Sequence, residues 1–269
     1  HALTNHGNLM RARLGYSLSR YFGLAEPDAM NLALSAELFH TASLLFDDLP
    51  CMDDATERRG VPCTHKLFGE GAATLAALAL INKAYGLLWS SMQKNTLETR
   101  QAGAAFVERC LGLSGILNGQ SFDLHFKPAR QGANRVMRIA LGKTVSLIRI
   151  SLVLPAILGG ATHTQTLVLR RLSVFWGLAY QILDDLKDVM NSPKEARKTT
   201  QRDAALGRPN LAIAKGPVYT TRLLCRLIGL AESTLARASA ETPFFATLHQ
   251  FQQRVAADFL NLKPLDATP

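Results

Sequence analysis

Two acidic runs stand out by residue type and spacing. Asp47-Asp48-Leu49-Pro50-Cys51-Met52-Asp53-Asp54 follows directly on the apolar Leu44-Leu45-Phe46, and Asp184-Asp185-Leu186-Lys187-Asp188 follows Ile182-Leu183. Carboxylates next to apolar stretches repel one another and lose hydration, so they need a cation. Asp184 and Asp188 are four residues apart, which puts both on one face of a helix. Hard oxygen donors on two separate segments suit magnesium holding a polyphosphate, because that ion keeps several waters and bridges carboxylates to phosphate oxygens. Either run alone reads equally well as a solvated helix end. Together, with cations between them, they read as a site.

The cations are Arg58-Arg59 after the first run, Lys143 beside Thr144, and Lys198, Arg202 and Arg208 after the second run. Arg58 and Arg59 by themselves would be a solvated face. Lys143 is more informative, since a charge flanked by Ile139, Ala140, Val145 and Leu147 requires a partner. Metal ions and cationic side chains would clamp a diphosphate, and a dry apolar cavity would shelter the cation left when it departs. The residues therefore point to a metal-dependent ligase or lyase that ionises a diphosphate ester, with the substrate left open. No GxSxG or Cys/His nucleophile pattern competes with this, and His65 and His125 lack partners at zinc spacing.

Helices must position these groups. With 48% hydrophobic and 19% charged residues among 269, the chain is neither disordered, collagen-like nor a charged coiled coil. Apolar residues recur at three- and four-residue intervals, and no Val/Thr/Tyr alternation suggests a sheet. Helices are predicted at Leu9 to Phe22, from Pro27 through Phe46, at Gly71 to Ser91, Leu97 to Leu117, Ala133 to Leu154 (ended by Pro155) and Gln165 to Val189. Three more start at Asp203, Tyr219 and Thr247, after a polar basic loop at 191–201. The helix at 71–91 is predicted deep in the core, and Trp89 and Trp176 with it. Phe46 and Tyr180, beside the acidic runs, are candidates for a cavity wall. No linker or repeat divides the chain, so one all-α domain over 1–269 is expected.

The formal charge of +9 favours an anionic partner. Because the basic residues interleave with acidic motifs, a diphosphate is expected and no nucleic acid. Four cysteines without metal or CxxC spacing are expected as thiols of an intracellular, cytoplasmic protein. No run of 18 uncharged apolar residues occurs, so no transmembrane segment is expected.

The sequence resembles the trans-isoprenyl diphosphate synthase (polyprenyl synthetase) family. Leu44 through Arg58-Arg59-Gly60, with Pro62, His65-Lys66 and Phe68-Gly69-Glu70, is similar to its first aspartate-rich motif, and Gly177 to Asp188 to its second. Gly119-Gln120, Asp123-Leu124 and Lys143-Thr144 match landmarks between them. This resemblance, running from about Gly7 to Asn210, implies the isoprenoid synthase fold: a helical bundle around a central apolar cavity, in a chain that forms a homodimer. It implies head-to-tail condensation of an allylic diphosphate with isopentenyl diphosphate. Asp47, Asp48 and Asp53 would bind two magnesium ions and Asp184 the third, supported by Asp188. Arg58, Lys143 and Lys198 would hold the allylic diphosphate, Arg208 would bind substrate in place of a familiar lysine, and Lys143, Thr144 and Gln181 would steady the carbocation. Arg11, His40 and Arg59 would meet isopentenyl diphosphate.

One departure bears on activity. The family commonly has Gly-Gly-Lys-Arg-x-Arg near its start, where this chain has His6-Gly7-Asn8-Leu9-Met10-Arg11. Asn8 and Leu9 replace two cations, at about 1.5–3 kcal/mol per charged hydrogen bond. Two alternatives follow: a terpene synthase-like enzyme acting on one diphosphate, and a non-catalytic partner subunit, against which both complete acidic motifs argue. Ala42 and Ser43 are small where bulky aromatics shorten the product in this family. With Phe46 they imply an open elongation cavity and a twenty-carbon product, geranylgeranyl diphosphate, with Phe39 or Leu38 as a deeper plug. The opening His1 is read as the loss of a first helix ahead of it.

Overall fold

The computed structural model describes residues 1–127, 132–190, 202–239 and 246–260. Helix α1 (Met10–Tyr21) ends before Gly23, whose φ of +83° turns the chain. Helix α2 (Glu26–Asp47) starts with Pro27 and two acidic residues in its first turn, where a missing N–H is harmless and the helix dipole favours carboxylates. A loop then leads to a two-strand hairpin, β1 (Glu57–Arg58) and β2 (Val61–Pro62), which helical periodicity did not predict. Arg59 and Gly60 both have positive φ (56° and 80°), as a tight two-residue hairpin turn demands. Helices α3 (Thr64–Phe68), α4 (Glu70–Met92), α5 (Leu97–Leu111) and α6 (Ile116–Leu124) follow. Next come α7 (Ala133–Lys143), α8 (Val145–Leu158) and α9 (His163–Met190), then α10 (Arg202–Leu206), α11 (Leu211–Lys215), α12 (Pro217–Ser239) and α13 (Ala246–Leu260). The polar loop expected at 191–201, Lys198 included, lies outside the described residues.

Two predicted helices differ from expectation. The one expected over 97–117 stops at Leu111, and α6 beyond it was not expected; between them the chain turns so tightly that a Cβ on Gly115 would collide with the Cys110 carbonyl, so only glycine fits there. The one expected over 133–154 bends by 45° at Thr144, and Pro155 sits inside α8 rather than ending it. Pro155 removes one N–H near the helix end, and the chain turns at Gly160 (φ +68°).

Helix α2 packs against α1, α4 and α8, while α9 packs against α7, α8, α11 and α12. Every residue of α8 except Arg149 and Ile157 is buried, so this helix forms the centre of the core. Trp176 is buried as expected and donates its indole N–H to Gln252. Helix α4 departs from expectation. A narrow stripe (Ala73, Ala77, Ala84, Leu88, Met92) packs inward, while Leu75, Leu78 and Trp89 are 68%, 51% and 40% exposed. Small residues let α4 approach α2 closely, so few of its larger side chains are covered. By length and composition α4 is apolar enough to cross a membrane, as is the bent α7–α8 pair taken together.

Candidate active site

The loop after α2 explains how carboxylates six residues apart share a site. The N–H of Asp53 donates to the Asp47 carbonyl at 3.0 Å and that of Ala55 to the Asp48 carbonyl at 3.1 Å, curling the chain back over the helix end. Asp47 and Asp53 thereby line a cavity of about 660 Å³, facing Asp184 and Asp188 from α9. The apolar lining includes Ile81, Ile116, Val136, Ile139 and Leu147. Phe39 and Tyr85, also in the lining, meet edge to face with centroids 4.9 Å apart, and Trp89 stacks on Tyr85.

Lys143, at the end of α7, sits among the acids. Its Nζ donates to Asp123 Oδ2 at 2.6 Å and lies 3.7 Å from Asp47 Oδ1. Burial opposes its charge, but Asp47, Asp123 and Asp53 outweigh that and hold the ammonium well above the ordinary lysine range. Burial pushes Asp47 up in turn, against the pull of Lys143. Contact between α6 and α7 sets this geometry: a Cβ on Gly119 would strike the backbone N of Lys143, and one on Gly142 would come within 2.9 Å of the Gly119 Cα. Beyond the bend, the Thr144 hydroxyl donates to Gln181 Oε1 at 2.6 Å, and Gln181 Nε2 donates to Asp185 at 2.9 Å. Burial raises Asp185 to about 7, against bonds from the Leu211 N–H and Gln181. Arg208 reaches Asp53 at 2.9 Å and donates to the Met52 carbonyl.

Three expected residues lie off the cavity. Asp48 is 4% exposed and accepts from Arg58 Nε at 2.8 Å and 3.0 Å, so it anchors that arginine from behind. Burial and the neighbouring Asp48 push the Cys63 thiol up to about 12, making it an inert neutral prop there. Arg59 sits on the exposed hairpin turn and donates to the Asn5 carbonyl at 2.9 Å. Ala42 is fully buried in a separate cluster with Leu45 and Ala77, because its face of α2 points at α4. Arg11, His40, Ser43, Phe46, Arg58, Thr144, Gln181 and Arg208 do line the cavity, as does Tyr180. Arg11 is 7% exposed and lies over the Tyr180 ring at 5.9 Å. Burial, with Arg11, Arg59 and Arg58 adding to it, holds His40 well below the ordinary histidine value. Asp123, the partner of Lys143, was legible only as a landmark, and Glu57 and Asp203 in the lining gave no signal.

The lining carries seven carboxylates against four cationic side chains, in a chain that is +9 overall. Such a surface repels a diphosphate unless cations intervene. Among the described residues no three His, Cys, Asp or Glu side chains form a ready-made metal cage. Magnesium is held by one or two carboxylates with phosphate oxygens and water, so a pair from each wall fits it.

A model of the polyprenyl synthetase family matches residues 1–226. The chain belongs to this family. Geranylgeranyl pyrophosphate synthase 11 of Arabidopsis thaliana is 36% identical over 212 residues, 77% of this chain and 59% of that protein. Geranylgeranyl pyrophosphate synthase 9 of the same plant is 33% identical over 262 residues, covering 93% of this chain and 72% of that one. The chain thus spans 59% of the length of the former relative. A Helicobacter pylori geranyltransferase crystallised with magnesium and isoprenyl diphosphate superposes with a TM-score of 0.80, covering 97% of this chain and 84% of that one. Its identity of 24% makes that a likeness of fold. The described bundle and cavity are those of an all-α polyprenyl synthetase.

Proposed function

We propose that this member of the polyprenyl synthetase family is a magnesium-dependent prenyltransferase joining an allylic diphosphate to isopentenyl diphosphate, head to tail. The observation that carries the reading is the placing of Asp47 and Asp53 opposite Asp184 and Asp188 on one apolar cavity, with Lys143 among the acids. Asp47, Asp53, Asp184 and Asp188 would hold magnesium, which would supply the positive charge needed to offset the excess of carboxylates. Lys143, Arg58 and Arg208 orient the diphosphate. The allylic C–O bond breaks and its electron pair leaves with the diphosphate. Thr144 and Gln181 face the cation so formed, and the apolar wall keeps water from it. The double bond of isopentenyl diphosphate attacks that carbon, and the proton then lost passes to the released diphosphate. Arg11 and neutral His40 would meet the second diphosphate.

Relatives named as geranylgeranyl pyrophosphate synthases support a twenty-carbon product, and Ser43 and Phe46 in the lining are the residues we assign to the elongating chain. The exposed apolar face of α4 supports a homodimer.

A second reading, ionisation without condensation, draws on the acceptor side. Asn8, at the position of a family lysine, accepts from the Met10 N–H at 3.2 Å, and Arg59 is committed to Asn5. The test is a product assay with dimethylallyl, geranyl or farnesyl diphosphate, magnesium and labelled isopentenyl diphosphate, with EDTA as control. Label in a longer prenyl diphosphate, lost on chelation, is expected. Diphosphate release without label in an organic product would sink condensation and leave the second reading.

A further inference from the structure

Asp185 stands between Asp184 and Asp188 but is absent from the cavity lining and 1% exposed. Both of its oxygens are engaged. Oδ1 accepts from Gln181 Nε2 at 2.9 Å, and Oδ2 accepts from the Leu211 N–H at 2.8 Å. Gln181 therefore turns its carbonyl the other way, where Oε1 accepts the Thr144 hydroxyl proton at 2.6 Å. A hydroxyl has one proton and two lone pairs. With that proton committed, Thr144 has only lone pairs to show the cavity that it and Gln181 line.

We infer that Asp185 is a positioning residue whose carboxylate fixes the Gln181 amide, so that Thr144 presents oxygen lone pairs rather than an O–H proton to a developing allylic cation. This rests on the proposed prenyl-transfer reading and deepens it. A carboxylate accepts and cannot donate, so inverting the Gln181 amide would set oxygen against oxygen at Asp185 and leave two donors facing Thr144. With Asp185 ionised, only one orientation satisfies every group. Asparagine at this position is nearly isosteric and breaks the rule. The Leu211 N–H would keep the amide oxygen, the new NH2 would face Gln181, and Gln181 would have to turn over. Thr144 would then accept from Gln181, and its proton would point at the cation.

The test compares binding of a bisphosphonate carrying a protonated aliphatic amine with that of its uncharged carbon isostere, in the presence of magnesium, without turnover and at about pH 8.5, where Asp185 is a carboxylate. The wild type should prefer the cationic ligand by at least ~10-fold, on the scale of preorganised dipoles facing developing charge. D185N should abolish or reverse that preference while leaving the affinity for inorganic diphosphate and the magnesium requirement within ~3-fold. In T144V, which has no hydroxyl to reorient, D185N should change the preference less than ~3-fold, whereas T144S should keep the full effect. A wild type without the preference overturns the inference, as does a D185N effect equally large in T144V, which would be a through-space charge effect. A raised magnesium requirement in D185N would instead make Asp185 a metal ligand. In kinetics, D185N should lower kcat with the allylic KM unchanged. Absence of condensation by a wild type that still prefers the cationic ligand would overturn the prenyl-transfer reading and spare this one.

Discussion

Lys143 concentrates the electrostatics of the site, because one ammonium holds Asp123 at 2.6 Å and faces Asp47 at 3.7 Å inside an acidic lining. Replacing it by methionine keeps the stem and deletes the charge. K143M should raise the inhibition constant of inorganic diphosphate by about 10–100-fold, the loss of a charged hydrogen bond of about 1.5–3 kcal/mol. K143R should not restore it, since a planar guanidinium cannot take the place of a compact ammonium held between two acids. Equal inhibition constants in all three proteins would remove Lys143 from the diphosphate clamp. His40 offers a prediction in pH. Burial and three nearby arginines keep its imidazole neutral, so the folded state binds fewer protons than the unfolded state below about 6.5. Stability from this group is full above 6.5 and falls as pH drops from there towards the lowered folded value. Urea midpoints of wild type and H40Q at pH 5, 6 and 7.5 should diverge, the wild type losing up to about 1.4 kcal/mol more per pH unit. Parallel slopes would count against a buried neutral His40.

At the scale of the element, the contact between α6 and α7 decides whether Lys143 can reach Asp123. Gly119 and Gly142 let two backbones touch, and a methyl group on Gly119 has nowhere to go but into the backbone of Lys143. G119A should therefore cost about 1–3 kcal/mol by overpacking and lower kcat/KM together with stability. Gly86 is the control, since a Cβ there meets nothing within 4 Å in the middle of α4. G86A should stabilise the isolated chain by about 0.5–1 kcal/mol through helix propensity. Thermal unfolding of both variants tests the contrast, and a harmless G119A would mean that the two helices are free to separate. The same contact shows where the sequence could be read and where it could not. The boundaries of α2 and α9 were legible because Pro27, the apolar period and the acidic ends all act locally. The break at Gly112 and the bend at Thr144 were not, because the apolar period runs on through both. The acidic residues of the site were legible by type and spacing. The Lys143–Asp123 bond was not, since its partners are twenty residues apart in sequence and meet only through a glycine contact between helices. Ala42 shows the converse: spacing put it near Asp47, yet half a helical turn decided that it faces α4 and not the cavity.

For the whole molecule, the exposed apolar face of α4 is the surface that assembly would cover. Leu75 and Leu78 lie more than half exposed one turn apart, and Leu67 and Phe68 of the preceding α3 are 49% and 60% exposed. Burying a leucine contributes about 1.5–3 kcal/mol. In a two-fold dimer each residue counts twice, because the same patch serves on both subunits. Covering the exposed 68% of Leu75 and 51% of Leu78 on both subunits would then supply about 4–7 kcal/mol of gross stabilisation, part of what a stable dimer needs. The wild type should therefore sediment as a dimer at micromolar concentration. L75E/L78E should sediment as a monomer, its dissociation constant raised by at least about 10⁴-fold. Because both side chains are exposed in the single chain, the thermal stability of the monomeric variant should stay within about 0.5 kcal/mol of that expected for the isolated fold. Dimers that persist in the double variant would place the interface elsewhere. A wild type that is monomeric in buffer but floats with vesicles would assign the apolar face of α4 to a lipid surface instead, in keeping with the hydropathy of that helix.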